Sequence, residues 1–300
     1  MNKKYSIISY KNYEEQSVFT PENLLREARR QKQIGECSIP SICILDPDGD
    51  IVEYLQKNGQ LKLCKCWACY HTKLYSFNYE GIEFGIIGCV VGASFAVLIA
   101  EELFATDCKL LISITSAGRI ATLENLSQFL LIESAIRDEG TSYHYLPPSD
   151  ISSINSYILK KLKSMFIQSN LSIAIGKSWT TDAPFRETKS AIEYASNKGA
   201  VAVEMEAAAL YSFAKAKNKN VVCFAHLTNT MGQKEGDFEK GEANGSIEAL
   251  KLIHLTAKNL LPSQYSNRID FKVHTSTIRS AHQKPPRFMF MYLPKVYWIL

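Results

Sequence analysis

The apolar positions fall into two rhythms, short runs bounded by turn residues and stretches repeating near the helical period. Pro21-Glu22-Asn23 opens an amphipathic helix, LLREARRQKQI, with Thr20 as its cap. Residues 41–46 (SICILD) predict a short buried strand, 46–50 (DPDGD) a turn, and LYSFNYE and IEFGIIG two further strands. From there strands at 82–90, 109–115, 129–136, 171–176, 200–205 and 220–226 alternate with helices at 93–106, 151–168, 188–197, 207–217 and 246–261. Ser116-Ala117-Gly118 is expected as a turn, 137–150 as a loop, and the stretch from Trp179 to Thr188 as a loop after a strand. The alternation predicts an α/β domain with a largely buried, parallel or mixed sheet. No internal repeat is visible.

Phe84 to Ala100 carries no charge and reaches the short limit of a membrane span. Its Gly85, Gly88 and Gly92, and Glu101-Glu102 just beyond, favour a strand, a glycine turn and a helix, so no transmembrane segment is expected. The start, Met1 to Gln16, is polar and lacks the apolar core of a secretory signal. Eight cysteines in a long, core-rich chain then predict reduced thiols and a cytoplasmic location.

A chain that is 46% hydrophobic is not a disordered one. The net charge of +4 is uneven: six basic residues against Asp270 give residues 267–300 a balance of +5, leaving residues 1–266 at −1. A nucleic-acid face on the main body is therefore not indicated. Three regions follow: an N-terminal helical extension (1–40), a main domain (41–266) and a basic, aromatic tail (267–300). The tail reads as an arm packed on the body or on a neighbouring subunit, as a segment for a membrane surface or a protein partner, or as a disordered tail.

Six constellations could carry chemistry. Gly88 to Ser94 sets a glycine turn before a helix, where backbone amides can approach an anion; close packing of strand on helix is the plainer reading. Ser113 to Arg119 places hydroxyls, a glycine and an arginine after a buried strand, suiting phosphate or sugar oxygens. Glu204-Met205-Glu206 puts two carboxylates in an apolar strand-to-helix junction, where an unpaired charge is costly; a carboxylate there can accept both hydroxyls of a diol. Trp179 to Thr188 could stack on and hydrogen-bond a nucleobase, and Arg137 to Tyr145 is a polar stretch after a strand. Cys64, Cys66, Cys69 and His71 offer zinc ligands, but strand alternation would send them to opposite faces, so packing thiols are preferred and no metal is assigned.

Taken together, over about 80–265, these pieces resemble the nucleoside phosphorylase superfamily, nearest its uridine phosphorylase-like branch. Gly92-Ala-Ser94 with Ala100-Glu-Glu-Leu103, Trp179 to Thr188, Val203-Glu-Met-Glu-Ala-Ala-Ala209 and Asp138 to Ser142 carry the resemblance. It implies a three-layer α/β/α domain with a mixed central sheet. It also implies a homo-oligomer (a dimer, or a hexamer built as a trimer of dimers) and a cytoplasmic pentosyltransferase of nucleoside salvage with no cofactor beyond phosphate as co-substrate. Glu206 is implied as the residue on the ribose hydroxyls, with Glu204 and Met205 beside it. Phe185 and Arg186 would line the base, Asn229 would stand by the leaving base, and Gly92, Ser116 and Arg119 would take phosphate. An asparagine hydrogen-bonds but cannot protonate a base, which favours a pyrimidine such as uridine.

The departures from the pattern concern phosphate. The family places a glycine and an arginine in the first strand's loop, where this chain has Leu45-Asp-Pro-Asp-Gly-Asp50; Ser113 stands where a second arginine is expected, and His71 and Lys73 are the basic options for a third. Phosphorolysis of a nucleoside is the expected reaction. Hydrolysis, a purine substrate and a non-catalytic nucleoside-binding protein are the alternatives.

Overall fold

The computed structural model describes residues 6–120, 128–169, 173–229 and 240–261; the tail at 267–300 lies outside them. Ten strands of the described residues form one mixed sheet: β1 Ile42–Asp46, β2 Lys62–Leu63, β3 Tyr75–Tyr79, β4 Ile82–Gly88, β5 Leu110–Arg119, β6 Phe129–Asp138, β7 Ile151–Ser153, β8 Ile173–Thr181, β9 Ala200–Glu204 and β10 Val221–Asn229. Among the described residues seven helices flank it: α1 Pro21–Lys32, α2 Asp50–Lys57, α3 Ala93–Ala105, α4 Ser156–Gln168, α5 Lys189–Asn197, α6 Ala207–Lys217 and α7 Ser246–Leu260. Contacts of α1 and α6 with α3 build one layer, and contacts of α2 and α4 with α7 build the other. This is the expected three-layer α/β/α domain.

β1, β4, β5 and β10 run parallel, so their carboxyl ends lie on one edge. Every residue of β1 is buried, as a strand covered on both faces requires. β10 pairs with both β5 and β6, and β8 and β9 complete the circuit from β6 back to β5. The sheet therefore curls on itself beside its open half, and the curl brings the β9–α6 junction to the parallel strands' carboxyl edge.

Local chemistry explains several boundaries. Thr20 accepts the Asn23 amide and Pro21 starts α1, as anticipated. α4 begins at Ser156 rather than 151, because Asn155 caps it through the Tyr157 and Ile158 amides and Ile151–Ser153 pairs with β6 instead. α2 is a helix that the turn residues concealed: Gly49 takes φ +84°, the Asp46 carboxylate accepts the Val52 amide, and Ile51 and Leu55 are buried.

Two expected loops are strand. Ser116-Ala117-Gly118 continues β5, held between β10 and β9, and Trp179 to Thr181 continue β8, held between β6 and β9. The uncharged Phe84–Ala100 stretch divides into β4, a turn and α3, and no helix among the described residues is long and apolar enough to cross a membrane.

The thiols depart from expectation at one pair. Cys37 and Cys66 form a disulfide with Cα atoms 5.9 Å apart, because the α1–β1 connection runs beside the loop before β3. The other six are free, and Cys69 Sγ accepts from the His71 amide and the Thr72 hydroxyl. Among the described residues no three His, Cys, Asp or Glu side chains gather to hold a metal.

α6 is buried on every side from Ala207 to Ala214, which its alanine-rich sequence permits. Tyr211 fixes it in place: its hydroxyl donates to the Ile132 carbonyl of β6 and accepts the Cys223 amide of β10. Tyr211→Phe should lower the unfolding free energy by about 1–3 kcal/mol, the cost of stranding buried polar partners. Urea denaturation checks this, and an unchanged midpoint would remove Tyr211 as the tie.

Candidate active site

Two clusters of carboxylates meet the carboxyl edge of the parallel strands. The first belongs to the β9–α6 junction. Glu204, at the end of β9, is buried and accepts four hydrogen bonds: from Ser178 Oγ at 2.9 Å, from Thr180 Oγ1, and from the Glu206 and Ala207 amides at 2.8 and 2.7 Å. Thr180 Oγ1 in turn accepts the Ala208 amide. Both Glu204 oxygens are therefore occupied within the protein, and its work is to lock β8, β9 and the start of α6 together.

Glu206 differs. It is 1% exposed, its Oε1 accepts the Gly92 amide at 2.7 Å, and its Oε2 is buried without a partner. Gly92, at φ +95° and ψ +148°, precedes α3 in a conformation only glycine takes readily, which turns its amide toward Glu206. Burial, then the charge of Glu204, pushes the Glu206 carboxyl up to about 8, against the Gly92 amide and the Thr115 hydroxyl, which favour the ionised form. Glu206 is thus placed to receive a hydroxyl donor on Oε2. Met205 lies between the two glutamates, half-buried.

The second cluster is the turn from β1 into α2. Asp46 is 2% exposed, and burial, followed by the charges of Asp48 and Asp50, raises it to about 7 against the Val52 amide. Asp48 Oδ2 accepts both the Ser116 amide at 2.7 Å and the Ser116 hydroxyl at 2.6 Å. Lys240 Nζ lies 3.4 Å from that same oxygen and bonds Asp50 Oδ2. Asn244 Nδ2 donates to Asp50 Oδ1, and Ser246 Oγ to the Asp50 carbonyl. Gly49 makes this turn possible: φ is +84°, and a Cβ there would sit 2.9 Å from Cys89 Sγ.

His226 of β10 pairs with Ser116 in the ladder and stacks on Phe129 with ring centroids 4.6 Å apart. Gly245 lies over its ring so closely that a Cβ would fall 2.2 Å from Cε1. Burial and the Lys240 charge hold its pKa low, outweighing Asp48, Asp50 and Glu248.

The structure therefore joins Gly92 to Glu206, and the nearby Thr115 hydroxyl favours the ionised form of the same carboxylate. Arg119 does not converge with Ser116: three residues on along β5, it pairs with Ala202, and strand alternation turns it to the other face. Phe185 and Arg186 stand exposed on the 3-10 turn after β8, Phe185 at 99%. Asn229 ends β10 opposite Gly118. Asp46, Asp48, Asp50, His226 and Lys240 were not among the residues expected in the site. The one signal for them was three aspartates at alternate positions after a buried strand, in the loop where the family pattern has a glycine and an arginine.

The description "Phosphorylase superfamily" belongs to a family model that matches residues 41–260. A DeoD-type purine nucleoside phosphorylase of Clostridium novyi is 24% identical over 159 residues, 52% of this chain and 68% of that protein. An uncharacterized protein of Acanthamoeba polyphaga mimivirus is 29% identical over 155 residues, 51% of this chain and 60% of that protein. Uridine phosphorylase from Vibrio fischeri shares the fold at a TM-score of 0.61 and 18% identity, over 83% of this chain and 98% of that one. A putative 5'-methylthioadenosine/S-adenosylhomocysteine nucleosidase from Francisella philomiragia does so at 0.61 and 18%, over 74% and 100%. With 220 of its 300 residues under the family model, and with this fold, the chain belongs to the phosphorylase superfamily.

Proposed function

We infer that the protein cleaves the N-glycosidic bond of a nucleoside and that water, rather than phosphate, is its nucleophile. The observation that carries the choice of nucleophile is the Asp48 carboxylate seated on the amide and hydroxyl of Ser116. That pair of donors is what an incoming anion would need, and a carboxylate already holds it. A phosphate dianion approaching Asp48 and Asp50 would meet like charge, whereas a neutral water can be oriented by an acceptor.

The ribose half of the reading rests on Glu206. Its unpartnered Oε2 suits a ribose hydroxyl, and Gly92 and Glu204 hold it in place. The transition state of such a cleavage carries positive charge on the sugar ring, and an edge lined by carboxylates lowers its energy. Asn229, by residue type, can donate a hydrogen bond to a departing base without protonating it, which supports a pyrimidine such as uracil. The likeness of the fold to both phosphorylases and a nucleosidase is compatible with either nucleophile.

Three outcomes are expected. Release of free base from uridine should proceed in phosphate-free buffer and gain less than about twofold on adding millimolar phosphate, less than the stabilisation of one hydrogen bond; a strict phosphate requirement would sink the hydrolytic reading. Glu206→Ala should lower kcat/KM by about 10- to 150-fold, the loss of one charge-assisted hydrogen bond of about 1.5–3 kcal/mol. A hydroxyl donated to Oε2 favours the ionised carboxylate, so nucleoside affinity should weaken as pH falls below about 8, by at most about tenfold per pH unit. Titration calorimetry from pH 8 to 6 checks this, with Glu206→Gln as the variant whose affinity should stay flat.

A further inference from the structure

Three donors converge on one oxygen at the carboxyl edge. Asp48 Oδ2 receives the Ser116 amide, the Ser116 hydroxyl and the Lys240 ammonium. Asp48 Oδ1 takes nothing from the described residues. A backbone N–H, a hydroxyl and a cation around one point make an anion site. Its ligand in this structure is the protein's own side chain.

We propose that Lys240 supplies the positive charge of the nucleophile subsite, and that Asp48 is that subsite's built-in ligand, so that the pair selects water over phosphate. The proposal deepens the hydrolytic reading above and rests on it for its function.

The geometry around Lys240 carries the argument. Its side chain is 18% exposed, too enclosed for an ordinary surface lysine, and it bridges Asp48 and Asp50 rather than capping one of them. It is delivered from 190 residues away by a segment that enters the site on left-handed backbone: Gly241 at φ +82°, Ala243 at +49°, Asn244 at +51° and Gly245 at +72°. Alanine and asparagine rarely adopt such angles without fixed neighbours. Here the neighbours are Asp50, which accepts from Asn244 and from the Ser246 hydroxyl, and the His226 ring beneath Gly245. The segment is therefore held on the same turn whose charge Lys240 balances. Asp48, Asp50 and Lys240 together carry a net charge of −1, which refuses a dianion. Without Asp48 they carry none, and Ser116 and Lys240 face an unoccupied position.

The test is titration calorimetry of inorganic phosphate into the full chain, in its wild-type, Asp48→Ala and Asp48→Ala/Lys240→Met forms. Wild type should give no saturable phosphate binding. Asp48→Ala should gain it, and the double variant should bind about tenfold more weakly or not at all, the loss of a charge-assisted bond. Equal binding by wild type and Asp48→Ala would show that Asp48 is not the occupant. Equal binding by the single and double variants would show that Lys240 is not the charge. Circular dichroism reports whether each variant folds. If Asp48→Ala does not, Asp48→Asn, which keeps the volume and removes the charge, takes its place, and no phosphate binding by that folded variant overturns the proposal. These readouts are independent of turnover: a wild-type enzyme that releases no base fails the hydrolytic reading and leaves the phosphate-binding result standing, while base release without phosphate beside an Asp48→Ala that binds none fails only this inference.

Discussion

A carboxylate removed from water must be hydrogen-bonded, paired with a cation or protonated, and the carboxyl edge of this sheet meets that demand three ways at once. Glu204 takes hydrogen bonds, four of them, and becomes part of the scaffold. Asp48 and Asp50 take a cation, Lys240. Burial raises Glu204 as well as Asp46 and Glu206, and for the last two the rise reaches about 7 and about 8. Everything placed around the edge, from the left-handed turn at Gly49 to the Gly92 amide, serves one of these solutions.

The sheet's closure makes the arrangement possible. β10 runs along β5 from Leu111 to Gly118 and pairs Thr115 and Ser116, while β1 holds the other side of β5 up to Ser113 and β9 holds it from Gly118. Neighbouring residues of one strand point to opposite faces. Thr115 accordingly favours the ionised form of Glu206, whose chain leads into α6, while Ser116 donates to Asp48, whose chain leads into α2. One rigid strand thereby sets the spacing between the Glu206 carboxylate and the Asp48–Ser116 pair.

Much of this was legible in the sequence because its cause was local. The Thr20 cap, the unbroken burial of β1 and the alanine-rich face of α6 depend on residues a few positions apart. The Glu204–Glu206 pair stood out because two carboxylates in an apolar run demand an explanation. What was hidden depends on distant partners. Ser116-Ala117-Gly118 has the composition of a turn and is a strand only because β9 and β10 flank it. α2 is eight residues long and sits behind turn signals, so its existence rests on the Asp46 carboxylate reaching the Val52 amide. The three aspartates of the β1–α2 turn were plain in the sequence, but the lysine that balances them lies 190 residues on from Asp50. The Cys37–Cys66 bridge likewise depends on how α1 lies against the loop before β3.

Asp46 and Glu206 also link the site to stability. A carboxyl whose pKa is higher folded than unfolded binds more protons in the native state across the interval between the two values, so its contribution falls as pH rises through that interval. For Asp46 the interval ends near 7 and for Glu206 near 8. At neutral pH both oppose folding, and a hydrophobic residue at either place would be the better choice for stability alone. A fold that keeps them, each with a backbone amide aimed at one oxygen, has arranged them for something other than itself. On Glu206 the missing partner is a donor for Oε2. A hydroxyl donated to that oxygen would favour the ionised carboxylate and offset part of the cost of its burial.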